Sequence, residues 1–309
     1  ADFDYFIRDT KNAATPVKTP GTGESFLKPV GTIRNKGIEL VLDWTNKVSD
    51  RFSYSVGGNF STLKNSAIDL YGQEYIDGGT AEFRQRTYVG QPLLAFYGLE
   101  VAGVYQNQSE VESDAVATKQ ASLGNVLEPG DLKYVDQNGD GNITADDRII
   151  LGSYFPNFMY GGYINITFLN FDFSTNFYGQ SGNKILNRRR GELIWTPDGN
   201  LDAQLATDRW HGEGTTNKYP SSKGLRKGWN QQMSDYFVEN GSFFRIQNIQ
   251  LGYTFKDRKW FPETRISITA ERPISIFSYN GFTPEVDNGV DYQTYPIAAV
   301  YTINLNIKF

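Results

Sequence analysis

The sequence predicts an all-β protein, about ten antiparallel strands forming part of the wall of a membrane-spanning barrel with long external loops. Three observations predict it. The first is residues 301–309, where Tyr301, Ile303, Leu305, Ile307 and Phe309 alternate with Thr302, Asn304, Asn306 and Lys308. Successive side chains of a strand point to opposite faces, so this strand has one apolar and one polar side. The second is composition. Aromatic residues make up 15% of 309 residues and the mean hydropathy is −0.48, yet no run approaches the roughly 18 apolar residues that a spanning helix needs. A barrel wall fits both facts, because only every second residue meets lipid and aromatic rings gather at the interfaces. The third is that connections alternate short and long. By itself the terminal segment also fits a strand of an ordinary soluble sandwich.

Along the chain, strands are predicted at 2–9, 33–47, 51–63, 82–89, 94–106, 157–168, 171–180, 242–256, 264–273 and 297–309. The first begins in mid-pattern, with no signal segment before it, so residues 1–309 are expected to be the C-terminal part of a longer chain. In 38–44, Ile38, Leu40, Leu42 and Trp44 share one side and Glu39 and Asp43 the other. In 164–168, Ile164, Ile166 and Phe168 alternate with Asn165 and Thr167. In 171–177, Phe171, Phe173 and Phe177 alternate with Asp172, Ser174 and Asn176. Ile249, Leu251, Tyr253 and Phe255 keep the same period, but 243–247 breaks phase, which predicts a bulge or a strand leaving the membrane. Short connections fall near 48–50, 90–93, 169–170 and 257–263; long ones near 10–32, 64–81, 107–156, 181–241 and 274–296. If Phe309 ends at the periplasmic rim, every short connection is periplasmic and every long one external, as in outer-membrane barrels.

Five stretches carry a more specific likeness: G-T-I-R-N-K-G-I-E-L at 31–40, G-D-L-K-Y-V-D-Q-N-G-D-G-N-I-T-A-D-D-R-I-I-L-G at 130–152, F-P-N-F-M-Y-G-G at 155–162, V-E-N-G-S-F-F-R-I-Q-N-I-Q-L-G-Y-T-F at 238–255, and G-F-T-P-E-V-D at 281–287 before the terminal strand. In this order they resemble the C-terminal barrel portion of the SusC/RagA family of TonB-linked outer-membrane transporters. The resemblance implies a 22-stranded barrel with an internal plug. It also implies a SusD-like surface lipoprotein as lid, TonB, driven by the inner-membrane proton gradient, acting through an N-terminal region absent here, and an oligosaccharide or peptide as ligand. The bacterial outer membrane is the expected location and its lipid the expected surroundings.

Residues 136–147 have the spacing of a Ca²⁺ loop, with Asp136, Asn138 and Asp140 at positions 1, 3 and 5, the Asn142 carbonyl at 7 and Asp147 at 12. Asp where such loops place Glu shortens the bidentate reach. Asn-Gly and Asp-Gly also make tight turns without any ion, and both readings stand. Loop 181–241 carries Trp195, Trp210, Tyr219, Trp229 and Tyr236, which either present a sugar- or peptide-binding surface or pack the loop against itself. The run Lys184, Arg188, Arg189, Arg190 is expected on a solvated rim. A net charge of −5 argues against nucleic acid. With no Cys, one His, no G-x-S-x-G and no phosphate loop, no enzyme is expected. Competing readings are a passive or structural outer-membrane barrel and a soluble carbohydrate-binding β domain.

Overall fold

The computed structural model describes residues 1–18, 25–80, 83–188, 190, 203–224, 227–256, 262–292 and 294–308. In chain order its strands are β1 (Asp2–Lys18), β2 (Ser25–Ser49), β3 (Phe52–Thr62), β4 (Lys64–Asp69), β5 (Tyr75–Gly79), β6 (Arg84–Tyr88), β7 (Ala95–Gly98), β8 (Val101–Val104), β9 (Leu132–Tyr134), β10 (Ile149–Gly152), β11 (Phe158–Phe168), β12 (Phe171–Ser181), β13 (Lys184–Leu186), β14 (Val238–Asn240), β15 (Phe243–Phe255), β16 (Glu263–Phe277) and β17 (Val300–Lys308). Eight of them form one antiparallel wall in the order β1-β2-β3-β11-β12-β15-β16-β17, with β4 paired to β2 beside it. Among the described residues no helix is long and apolar enough to cross a membrane, a fact silent on strands.

Register turns alternation within each strand into apolar rows across the wall. Ile303 pairs with Ile268, Ile268 with Leu251, Leu251 with Phe173, Phe173 with Ile166, and Ile166 with Tyr54. Partners in an antiparallel pair point to the same face, so these six side chains form one band. That band is bare. Ile303 is 77% exposed, Ile268 54% and Leu251 50%, with Trp44, Phe168 and Leu305 also exposed beside them. Single exposed apolar residues are ordinary, but a continuous band marks a surface that something apolar covers.

The wall differs from the sequence reading in two places. The expected strands 82–89 and 94–106 are not in it: β5, β6, β7 and β10 form a separate sheet, and β8 pairs with β9. Their alternation has another cause, since Phe83, Phe96, Leu99 and Val104 are buried in loop cores rather than facing lipid. Removing two strands leaves the up-and-down parity unchanged, so the turn at 50–51, the turn at 169–170 and the end of β17 still share a rim. The expected loop 10–32 is instead largely strand, with Lys11 opposite Thr32 and Lys18 opposite Ser25. This ribbon stands above the band and needs no apolar face, so periodicity gave no sign of it. The phase break in 243–247 is a bulge: the partners of β15 skip Gln247 on both sides.

The hydrophobic core lies in the long connections. Two short helices, α1 (Gln108–Ser113) and α2 (Ala115–Ser122), start where the Asn107 and Asp114 side chains accept the amides of Glu110 and Val116 at 2.9 and 2.8 Å. Val111 and Val116 from these helices join Leu99, Tyr105, Leu132 and Phe237 in a buried cluster. A second cluster gathers Phe83, Phe96, Leu186, Met233 and Val290. The molecule is therefore a bare-faced wall with packed loops at one rim.

Candidate functional site

The polar face of the wall is organised by bonds that span two strands. Tyr163 of β11 donates its hydroxyl to Asp43 Oδ1 of β2 at 2.8 Å, and the strand between them contributes Gly57. Arg265 of β16 holds both carboxylate oxygens of Asp172 of β12 at 3.2 and 2.5 Å, across Gly252 of β15. Second-neighbour strands lie about 9.6 Å apart, so only long side chains passing over a bare backbone can meet. A Cβ on Gly57 would collide with Asp43 and the Tyr163 ring, and one on Gly252 would lie 2.5 Å from Arg265 and Asp172. Asn165 donates to Ser55 at 3.1 Å on the same face.

The loops are clamped to the rim by buried charge. Arg245, near the upper end of β15 and buried, contacts Glu285 and donates to Ser275 at 2.9 Å. Tyr178 donates to the same Glu285, so the 281–287 motif is tied to β12 and β15 together. Arg190 is buried and pairs with Glu239 at 3.1 Å while donating to the Tyr236 carbonyl at 3.1 Å. Asp131, 1% exposed, accepts from Lys227 at 2.7 Å, Asn230 at 2.9 Å and the Glu128 amide at 2.8 Å. A carboxylate this well bonded closes the 128–131 corner onto 227–230.

Three of the five rings expected as a ligand surface are core. Tyr219, Trp229 and Tyr236 are 5%, 5% and 7% exposed. Trp229 donates its Nε1 to the Leu132 carbonyl at 2.8 Å, accepts from the Tyr134 hydroxyl at 2.9 Å and packs on that ring at 5.1 Å. Trp210 packs against the same cluster. Ring faces already covered by protein cannot stack on a sugar, so here the self-packing alternative describes their arrangement. Trp195 and Arg189 lie outside the described residues, as does Phe309 of the terminal strand. Tyr301, Ile303, Leu305 and Ile307 are exposed, as is every described residue of β17. Of the basic run, Arg190 is buried and paired rather than solvated, and half-buried Arg188 lies 4.6 Å from the Tyr292 ring.

The Asp/Asn-rich loop closes on its own amides. Asp136 accepts from Gly139 and Gly141 at 2.7 Å each, which holds its carboxyl below the usual range. Asn138 accepts from Asp140 at 2.9 Å and Asp140 from Asn142 at 2.8 Å. The Asn142 side chain accepts from Gln120 at 3.0 Å. Asp147 is fully buried and takes the amides of Gln137 at 3.1 Å and Thr144 at 2.6 Å. Oxygen donors suit Ca²⁺, but no three acidic or His side chains among the described residues are placed to hold one ion. These are the hydrogen bonds of a tight turn.

Between β8, β14 and the loops lies a polar cleft of about 450 Å³ lined by Gly103, Arg190, Asn217, Asp235, Glu239 and Ser278. Its polar groups are largely engaged: Asp235 accepts from the Val101 amide at 3.0 Å and Asn217 from the Val104 amide at 2.9 Å. Burial, with Glu100 nearby, pushes the Asp235 carboxyl up against that amide bond.

No family model matches the chain. Over the whole of it, the chain is 29% identical to TonB-dependent receptor P26 of Formosa agariphila. Over 99% of it, the chain is 28% identical to TonB-dependent receptor P3 of that organism and 25% to TonB-dependent receptor SusC of Bacteroides thetaiotaomicron. The structure of the RagAB peptide importer in its open-open state superposes with a TM-score of 0.75 at 20% identity, covering 99% of this chain and 32% of that one. Over nearly its whole length the chain is similar to TonB-dependent receptors, SusC among them, and it shares its fold with part of the RagAB importer. It spans about a third of the length of these relatives: 32% of P26 and 30% of SusC. The relatives are receptors and transporters rather than enzymes, and the place of this chain is the bacterial outer membrane. Three of the five motifs have a physical role in the loops. Arg245 and Glu285, from the fourth and fifth, form one clamp, and Asp131 of the second forms another. Sequence reasoning missed both partnerships, because nothing in local spacing relates residues 40 to 96 positions apart.

Proposed function

We infer that this chain supplies wall and external loops to an outer-membrane, TonB-dependent importer of oligosaccharides or peptides. One observation carries the reading: a bare apolar band on a wall with tight turns at one rim and packed loops at the other, matched over its whole length by TonB-dependent receptors. Unpaired strand edges are not tolerated in hydrocarbon, so β1 and β17, which end the wall, take partners from further strands of the whole protein. A plug within, TonB pulling on it, and a SusD-like lipoprotein over the loops complete the assembly. The RagAB neighbour is a peptide importer, which keeps peptide beside oligosaccharide as the cargo class.

The test is uptake by cells carrying the full-length gene. Growth on an oligosaccharide or peptide as limiting nutrient is expected to fail when the gene or TonB is removed. Uptake that persists without TonB, together with steady ion conductance of the purified protein in planar bilayers, would instead identify a passive pore.

A further inference from the structure

The sheet β10-β7-β6-β5 has two unlike faces. Phe83, Gln85 and Thr87 are buried, and Phe83 packs with Phe96, Leu186 and Met233. Side chains alternate, so Arg84, Arg86 and Tyr88 of β6 stand on the opposite face. Register brings Gly79 beside Arg84, Asp77 beside Arg86 and Tyr75 beside Tyr88 from β5, and Ala95 beside Arg86 from β7. Arg148 joins this face from the start of β10, two residues before Ile150, which pairs with Tyr97. Arg84, Arg86 and Arg148 are all half-buried.

These three cations are not equivalent. Arg86 is fixed: its guanidinium lies 3.7 Å from the Tyr75 ring centre and 4.0 Å from that of Tyr97. It donates to Asp77 at 2.7 Å and to the Tyr88 hydroxyl at 3.2 Å. Arg84 and Arg148 make no side-chain hydrogen bond or ion pair with any described residue. Burial and the charges of Arg84 and Arg86 push the Arg148 guanidinium down, so the three groups feel one another. Among the described residues, then, Asp77 is bonded to Arg86 alone, and no carboxylate is bonded to Arg84 or Arg148. Partly desolvated cations without a partner raise the energy of the folded chain, and an anion between them removes that cost. Guanidinium is suited to this, because its planar fork matches the two oxygens of a carboxylate or sulfate.

We propose that Arg84 and Arg148, with the ring-sandwiched Arg86 as floor, form an oxyanion subsite that takes the carboxylate or sulfate group of an acidic ligand. The subsite deepens the importer reading and rests on it for the ligand's origin. Its occupant is the acid group, whether uronate or sulfate ester, and neutral ligands gain nothing from it.

The test uses purified full-length protein in detergent and calorimetric titration with three probes: a galacturonate oligomer, its fully methyl-esterified form, and a sulfated galactose oligomer. The acid probes are expected to bind and the ester to bind at least tenfold more weakly. Arg84→Ala and Arg148→Ala are each expected to weaken acid binding roughly tenfold or more, at a melting temperature that does not fall. Preference between uronate and sulfate tells which group the fork accepts. Lys47→Ala, at the tight-turn rim, should change nothing. Equal affinity for acid and ester, no binding of either acid probe, or unchanged affinity in the double arginine variant overturns the subsite. Binding through these arginines without uptake by cells would leave the subsite standing and remove the importer reading. Uptake of neutral oligomers with no acid binding would do the reverse.

Discussion

Asp43 and Tyr163 meet because residue 57 has no side chain, and Asp172 and Arg265 meet because residue 252 has none. Gly57→Ala and Gly252→Ala are therefore expected to lower stability by about 1–3 kcal/mol each, through the added Cβ and the parted pair. Melting of the full-length protein in detergent reads this, and an unchanged transition in both variants would show that the pairs are incidental. Asp235 offers a pH test. Its carboxyl is raised by burial, so the folded state holds its proton more tightly than the unfolded chain does. That contribution is complete below the ordinary carboxylate range and is lost as pH rises through the raised value. Asp235→Asn keeps an acceptor for the Val101 amide and cannot ionise. The melting-temperature difference, variant minus parent, should grow from pH 4 towards pH 7, and a flat difference would contradict the buried-carboxyl account. In the 136–147 loop the amides already satisfy the carboxylates, so a chelator should leave melting unchanged, whereas Asp147→Ala should cost about 1–3 kcal/mol for each orphaned amide. A chelator-induced fall in melting temperature would show that the loop holds an ion. At this scale the sequence marked Asp43 and Asp172 as polar-face residues but could not show their partners, because the bonds skip a strand.

Among elements, the loops behave as a small folded unit around Trp229 and the Asp131 corner. Trp229→Ala should destabilise that unit by about 3–5 kcal/mol and speed hydrogen exchange in 99–134 while leaving the wall strands protected. Ligand binding lost in this variant would follow from loop collapse, not from a missing stacking contact. Arg245→Ala strands Glu285 and should cost about 3–5 kcal/mol locally, freeing 278–299 for limited proteolysis. Resistance of that segment in the variant would show that another contact holds it. Strands whose alternation meets lipid, such as β11 and β12, were legible within a residue or two. β6 and β7 were legible as strands but not in place, since burial against a loop core and exposure to lipid write the same period of two. The tall β1–β2 ribbon left no mark, because hydrogen bonding holds it rather than an apolar face.

For the whole molecule, the turns at 48–50 and 169–170 were read on the right rim even with two strands misplaced, because two strands taken out together leave the up-and-down order of the rest unchanged; the short connection expected at 90–93 lies instead among the loops, between β6 and β7. The register then joins strands distant in sequence into one band, with Tyr301 beside Ala270, Ala270 beside Ile249, and Ile164 beside both Thr175 and Val56. Everything functional follows from what covers that band. The direct measurement places single Cys residues, in a Cys-free background of the full-length protein in bilayers, along two rows: Ile303, Ile268 and Leu251 on one, Asn304, Ser267 and Asp172 on the other. Each carries a fluorophore and is challenged with lipid-borne and water-borne quenchers. Lipid-borne quencher should reach the first row only, in step with the period of two. Equal quenching of both rows from water, or shielding of the first row from lipid, would contradict the account.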